Sequence, residues 1–546
     1  MDVLLNDKNV IMFNSSVTPK GFRVGVHKPS YSVPNFRNGS ELSSLGEYID
    51  GSLRENHRNF PDGDVVEEGA RWIYEIVNPF PWRGATYIES GWAGSRAESP
   101  ETIKVAPPAQ CSLRKLLAEH LDDDAVHEVL AGLPRPVLYD LAANSTDGNE
   151  LVLLAENCCT FTHDEKDLPT GLVYIKKNEQ VRADIDDFEL FETVANNPYL
   201  PDIYKEVMVL RPGVQGDSEI VGDFRQEATH VFEYLRRNSY IPWGHYAANM
   251  ANDAVRYRIS DLNRTDMQGL RHLYYQRSYV TLARQLGLQI EIRGRGLSDV
   301  ELEQLRLEIL AALQNEKNAH HPATLWGWNF GYDFSGSGCR LHASHQMIHQ
   351  QYAMVPEVVA TLDGDEIPSY GCGDLVADTA ARYRQEYGRD FFSDYLSAIR
   401  NNRRMDGRDL PENLVVHEDA CVLLFVPKAQ VSQWELQLMV IADDDEQPVG
   451  NIIEADGVVR TAIDEGILLA QHIYAGLGAK MVTSLEYSKR IGVVNGQRLL
   501  YSFLPKLPWS MGAFSEAQLR FICGHFPEDF ARACRAQVEK INIYLN

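Results

Sequence analysis

Between Thr265 and Pro356 the chain passes through two amphipathic helical stretches, a strand-like run, a glycine-rich turn and a second strand-like run. No other feature of the sequence constrains the fold as much. From Thr265, the residues Met267, Leu270, Tyr274 and Leu282 recur on or near one helical face, and Gly287 ends the pattern. A second helix starts at Ser298, with Glu301 three residues on as a capping box. It carries Leu302, Leu305, Ile309 and Leu313. TLWGWNFGYDFSGSG then reads as a strand entering a turn, and the run QQYAMV suits extended structure. Alternating strand-like and helix-like pieces continue along the chain, which reads as α+β.

Elsewhere, WIYEIVNPFPW (Trp72 to Trp82) reads as a strand stopped by two prolines, and ELVLLAE and GLVYIKK as two more strands. A helical region from about Asp374 to Arg403 leads to the polar loop RRMDGRDLPENL, the best domain boundary. Beyond it come strands ACVLLFVPK and WELQLMVIA, a helix from Val459 to Leu477, and strands near Met481 to Tyr487 and Gln497 to Leu504. A helix around Ser515 to Cys523 and another from Pro527 close the chain. No internal repeat is visible, and 546 residues are too many for one core, which implies two to four units at roughly 100–200 residues each.

With 77 acidic against 52 basic residues, a net charge of −25 argues against a nucleic-acid backbone or an anionic membrane as partner. The opening MDVLLNDKNVIMFNSS lacks the basic start and apolar core of a signal peptide. No apolar run of about eighteen residues occurs, so a cytoplasmic protein is expected. Eight cysteines without a CxxC pair make neither a disulfide framework nor a structural zinc site, and read as reduced core thiols.

CRLHASHQMIHQQYAMVP, Cys339 to Pro356, holds three of the sixteen histidines. On a helix, His345 and His349 would stand one turn apart, as in the HExxH motif of zinc hydrolases, but Gln346 occupies the place of the general base. On a strand, His345, Met347, His349 and Gln351 share one face, and the order of elements favours this reading. Trp326 and Trp328 read as strand-core residues, and His320 and His321 as part of a solvated loop.

ASHQMIHQQYAMVP resembles the galactose-1-phosphate uridylyltransferase-like branch of the histidine-triad superfamily, which includes nucleotide-sugar and dinucleoside-polyphosphate phosphorylases. That branch carries a serine, a nucleophilic histidine five residues on and a glutamine two after that; Ser344, His349 and Gln351 hold those places. VNPFPW is similar to its asparagine-any-Phe-Pro turn, which implies that Asn78 approaches the nucleotide. VHEDACVLLFVPK, QWELQLMV and YSFLPKLPW resemble its second unit.

The resemblance implies two histidine-triad-like antiparallel half-barrel units with flanking helices. Residues 1–67 would form an N-terminal extension, 68–405 a first unit with a large insertion and the active site, and 406–546 a second unit. It implies a nucleotidyltransferase or phosphorylase, moving a nucleoside monophosphate from a nucleotide sugar or dinucleotide to a phosphate acceptor through a nucleotidyl-His349 intermediate. Gln351 and Ser344 would then donate to the α-phosphate. Gly336 and Gly338 would bring backbone amides to it, and Arg340 would neutralise the leaving phosphate. A homodimer is also implied. Met347 stands where the family has a metal-binding histidine, so no metal or other cofactor is expected. Two other functions fit parts of the pattern: a metal-dependent hydrolase using the HQMIH pair, and a nucleotide-binding protein without turnover.

Overall fold

The structure is a computed structural model and describes residues 14–28, 30–35, 42–56, 63–68, 71–107, 109–177, 180–195, 197, 199–205, 207–208, 258–290, 296–315, 321–331, 349–444, 447–507 and 513–545. At its centre lies a seven-stranded sheet in the order His349–Val355, Ala323–Gly331, Met481–Tyr487, Leu500–Lys506, Leu436–Val440, Val422–Phe425 and Val415–Glu418. Every neighbouring pair is antiparallel. Two strands come from before the RRMDGRDLPENL loop and five from after it, so both portions share one sheet. In a second sheet, Arg520–Cys523 runs parallel to Ala85–Glu89, followed by Ile73–Val77 and Gly25–His27. The molecule is α+β.

Strict alternation in ATLWGWNFG positions the central sheet. Thr324, Trp326, Trp328 and Phe330 are buried, while Leu325, Gly327 and Asn329 are only half-buried. The buried face packs on the helices Arg264–Gln285 and Gly457–Gly476, in a core that includes Tyr274, Trp326, Leu438 and Tyr501. Over the far strands the opposite face is closed by the helices Cys372–Tyr387 and Phe391–Arg400, through Val376, Tyr383 and Tyr395 against Met439 and Leu500. Reciprocal capping boxes start the helices Arg264–Gln285 and Asp299–Asn315. Asn263 and Asp266 cap the first (2.9 and 3.0 Å), and Ser298 and Glu301 the second (3.3 and 2.8 Å).

Several expectations need correction. ELVLLAE lies in a helix, Gly148–Glu156, because Asp147 caps it and Leu151, Leu154 and Ala155 bury one face. The expected helical region from about Asp374 is present, as two helices, since Gly388 adopts φ 66° and ends the first. The helix around Ser515 stops at Gln518, and Arg520–Cys523 is a strand because it adds to the second sheet. His321 is half-buried and bonded to the Ile491 carbonyl (2.9 Å) rather than solvated. Cys158, Cys159, Cys523 and Cys534 are buried, but Cys111 and Cys372 are exposed.

A polar network runs through the buried face. Arg271 donates to Asp464 (3.0 Å) and to the hydroxyls of Tyr275 (3.0 Å) and Tyr501 (2.9 Å), with its guanidinium 4.6 Å from the Trp326 ring centroid. Tyr274 and Tyr501 (2.7 Å each) and Thr324 (3.0 Å) donate to Glu486. Burial pushes the Asp464 carboxyl up to about 6, against the opposing pull of Arg271, Tyr275 and Arg460.

An unfolded Asp titrates near 3.9, so the folded form holds this proton more tightly. The stabilising contribution is therefore complete below pH ~4 and lost as pH rises through about 6. Melting curves of the wild type and Asp464→Asn should reveal it. The wild type should lose stability relative to the variant between pH 4 and 7, whereas a constant difference would show that Asp464 does not titrate there.

Candidate active site

The His349–Val355 strand divides its residues between two faces. Gln350 accepts from the Trp326 indole N–H (2.9 Å), and Tyr352 packs 5.7 Å from the Tyr274 ring, so the even positions belong to the core. Gln351 and Ala353 are exposed. Position 349 belongs to the same alternate set as 351. Across the ladder, Asn329 is opposite His349 and Gly327 opposite Gln351; on the next strand they face Thr483 and Leu485. Together these positions form a half-open floor, in a sheet whose other face is closed.

Three features suit this floor to an anionic ligand. Thr483 donates its hydroxyl to Asn329 Oδ1 (2.7 Å), which fixes the amide so that its N–H groups remain to be used elsewhere. Gly327 removes a side chain beside Gln351. The helix Cys372–Tyr387 starts at Gly371, where an added Cβ would stand 3.6 Å from Leu325 at the edge of the floor, so the positive end of its dipole borders the site. Asp374, which accepts from the Gly371 N–H (2.7 Å), is neutralised by Arg490 at 2.7 and 2.8 Å. Gly331 ends the strand at φ 87°, and a Cβ there would meet the Lys480 carbonyl at 2.1 Å.

Three strands along the same face, in the register Gln351–Gly327–Leu485–Ser502, lies a polar group not foreseen from sequence. Arg83 is buried and bonds Glu435 (2.8 Å) and Ser502 (3.3 Å); Ser502 (2.6 Å) and Gln437 (2.8 Å) also donate to Glu435. Burial works against the Arg83 charge, but Glu435 more than restores it and keeps the guanidinium protonated. The VNPFPW turn holds Arg83 in place. Asn78 Oδ1 accepts from the Phe80 N–H (3.1 Å), and its Nδ2 donates to the Ala429 carbonyl (3.4 Å). Asn78 is thus buried, with both ends of its amide used inside the protein. The only sequence signal for Arg83 is its place at the end of that turn.

Ser344, Arg340, Gly336, Gly338, His342 and His345 lie outside the described residues. His349 opens a strand, not a helix. Other histidines are engaged with backbone carbonyls: His272 with Leu297 (2.8 Å), His472 with Leu262 (2.7 Å) and His525 with Phe526 (3.2 Å). Burial also lowers His525 to about 4, so it is neutral. A cavity of about 370 Å³, lined by Trp82, Leu375, Arg382 and Tyr383 among others, lies apart from the floor and includes none of its residues. Among the described residues no three His, Cys, Asp or Glu side chains cluster as metal ligands, and no helix is long and apolar enough to cross a membrane.

No family model and no curated protein matches the chain. The solved structures it is similar to include a phosphorylase and a uridylyltransferase. One is an ADP-glucose phosphorylase from Arabidopsis thaliana with bound ADP-glucose, at 14% identity over 51% of this chain and 68% of that one, TM-score 0.31. Another is a GalT-like protein from Arabidopsis thaliana, at 15% identity over 44% and 69%, TM-score 0.30. A third is a uridylyltransferase, at 14% identity over 45% and 69%, TM-score 0.31.

Proposed function

We propose that the chain transfers a nucleoside monophosphate from a nucleotide sugar or dinucleotide to a phosphate acceptor, with His349 as the nucleophile. The observation that carries this is the register. His349, Gln351 and Asn329 occupy neighbouring positions of one alternate set on the half-open side of the sheet, and His349 and Gln351 keep the family spacing to Ser344.

In the first step a lone pair of the His349 imidazole forms a P–N bond to the α-phosphorus. The P–O bond to the leaving phosphate breaks, and that phosphate departs with the electron pair. In the second step an acceptor phosphate oxygen attacks the same phosphorus and the P–N bond breaks, returning the imidazole. Negative charge develops on the nonbridging oxygens in both steps. We assign Gln351 and Asn329 to donate to them.

Two-step transfer can be tested without the acceptor. Donor and isotopically labelled leaving group should exchange label when no acceptor is present, and failure to exchange with a donor that is turned over would refute the intermediate. Gln351→Ala and Asn329→Ala are each expected to slow this exchange roughly 10- to 1000-fold, the range for removing one charge-stabilising donor. Rates within a factor of two of wild type in both variants would exclude the floor as the reaction site.

A further inference from the structure

On the side of the central sheet away from the floor, the helices Arg264–Gln285 and Gly457–Gly476 meet the start of Asp299–Asn315, and a cleft of about 200 Å³ opens there. Gln268 and Tyr275 line it from the first helix, Arg460 and Asp464 from the second, and Asp299 and Glu303 from the third. Most of its charges are already paired. Glu303 accepts from Arg306 (2.7 Å) and Arg460 (2.8 Å), and Asp299 meets His272 (3.1 Å). Two atoms are not. Asp464 takes the bonds of Arg271 and Tyr275 both on Oδ1, and no described residue donates to its Oδ2. Arg460 directs its Nη atoms to Tyr279, the Ala455 carbonyl and Glu303, and no described residue accepts from its Nε–H. These side chains are only 5% and 7% exposed, yet neither atom is sealed into the core. A buried charge with an open bonding position on a cavity calls for a partner there.

We propose that this cleft binds a small zwitterion, an α-amino acid with a short side chain, its ammonium on Asp464 Oδ2 and its carboxylate on Arg460 Nε–H. One open acceptor and one open donor match a ligand that carries both charges and no net charge. Arg460 and Asp464 stand one helical turn apart, where side chains start about 5–6 Å from each other, so one small molecule reaches both. They make no bond to one another. Gly457, the first residue of the same 20-residue helix, also borders the cleft, and the positive end of the helix dipole favours the carboxylate at the Arg460 end. Gln268 makes no hydrogen bond with a described residue, and its amide oxygen is a second acceptor for the ammonium. A volume of about 200 Å³ is the room of roughly six or seven waters, which suits a small amino acid and excludes a nucleotide. The proposal does not rest on the nucleotidyl transfer.

Titration calorimetry of the full chain with L-alanine at pH 7 tests it. One molecule should bind per chain. L-Alaninamide, which lacks the carboxylate, and propionate, which lacks the ammonium, should each bind roughly tenfold or more weakly, the loss of one bond to a charged group. Asp464→Asn should weaken L-alanine binding to a similar degree. Because Asp464 also holds Arg271, a second variant keeps the test clear of folding: Gln268→Leu breaks no bond to a described residue, so it should melt as wild type does and still weaken binding several-fold. Absence of binding by glycine, L-alanine and L-serine at millimolar concentration overturns the proposal. So does L-alaninamide or propionate binding as tightly as L-alanine, or L-alanine affinity unchanged in both variants.

Discussion

Replacing His349 by alanine is expected to reduce turnover by a factor on the order of 10⁴ or more, the scale on which removal of a covalent nucleophile acts. Ground-state binding should be nearly unaffected, because the imidazole bonds to phosphorus along the reaction path and contributes little before it. Thermal stabilisation by the donor should therefore persist in a variant that no longer turns it over. Substitution of His472 should leave the chemical step nearly intact, because that ring is engaged with the Leu262 carbonyl. His525 should behave alike, being buried and neutral. A comparable loss of turnover on changing either would move the nucleophile out of the 323–355 strand pair.

The largest expected effect on stability belongs to Arg271. Its guanidinium lies between Asp464 and Glu486, both buried, and beneath the strand that carries Asn329. Arg271→Met would leave two buried carboxylates without their cation. Breaking a buried pair from one side costs about 3–5 kcal/mol. Part of this should be recovered by protonation of Asp464, so the deficit should shrink from pH 7 to pH 5. Denaturant unfolding of variant and wild type at the two pH values measures both effects. A deficit below about 1 kcal/mol at pH 7 would show that the aromatic cage alone supports the strand.

Much of the architecture is legible locally. The 323–331 strand follows from the alternation of ATLWGWNFG, and both long helices from their capping pairs. The strand at His349 follows from the order of elements before it. Where reading failed, the deciding information was not local. In ELVLLAE an unbroken Leu/Val run satisfies either period, and the outcome turns on Asp147 just outside it. The 520–523 strand exists because it pairs with residues 85–88, far away in the chain. Asn329 becomes a candidate only through its register with His349 and its bond to Thr483. Arg83 meets its partner Glu435 across 352 positions, a distance no motif spans.

Mass spectrometry of the enzyme mixed with donor alone is the most direct test. A nucleoside-monophosphate adduct should accumulate, stable to base and labile to acid as a phosphoramidate is, and disappear when phosphate acceptor is added. Peptide mapping should place it on His349 within HQMIHQQY, and His349→Ala should not form it. An adduct on any other residue, or turnover of the donor by the His349 variant at the wild-type rate, would contradict the account.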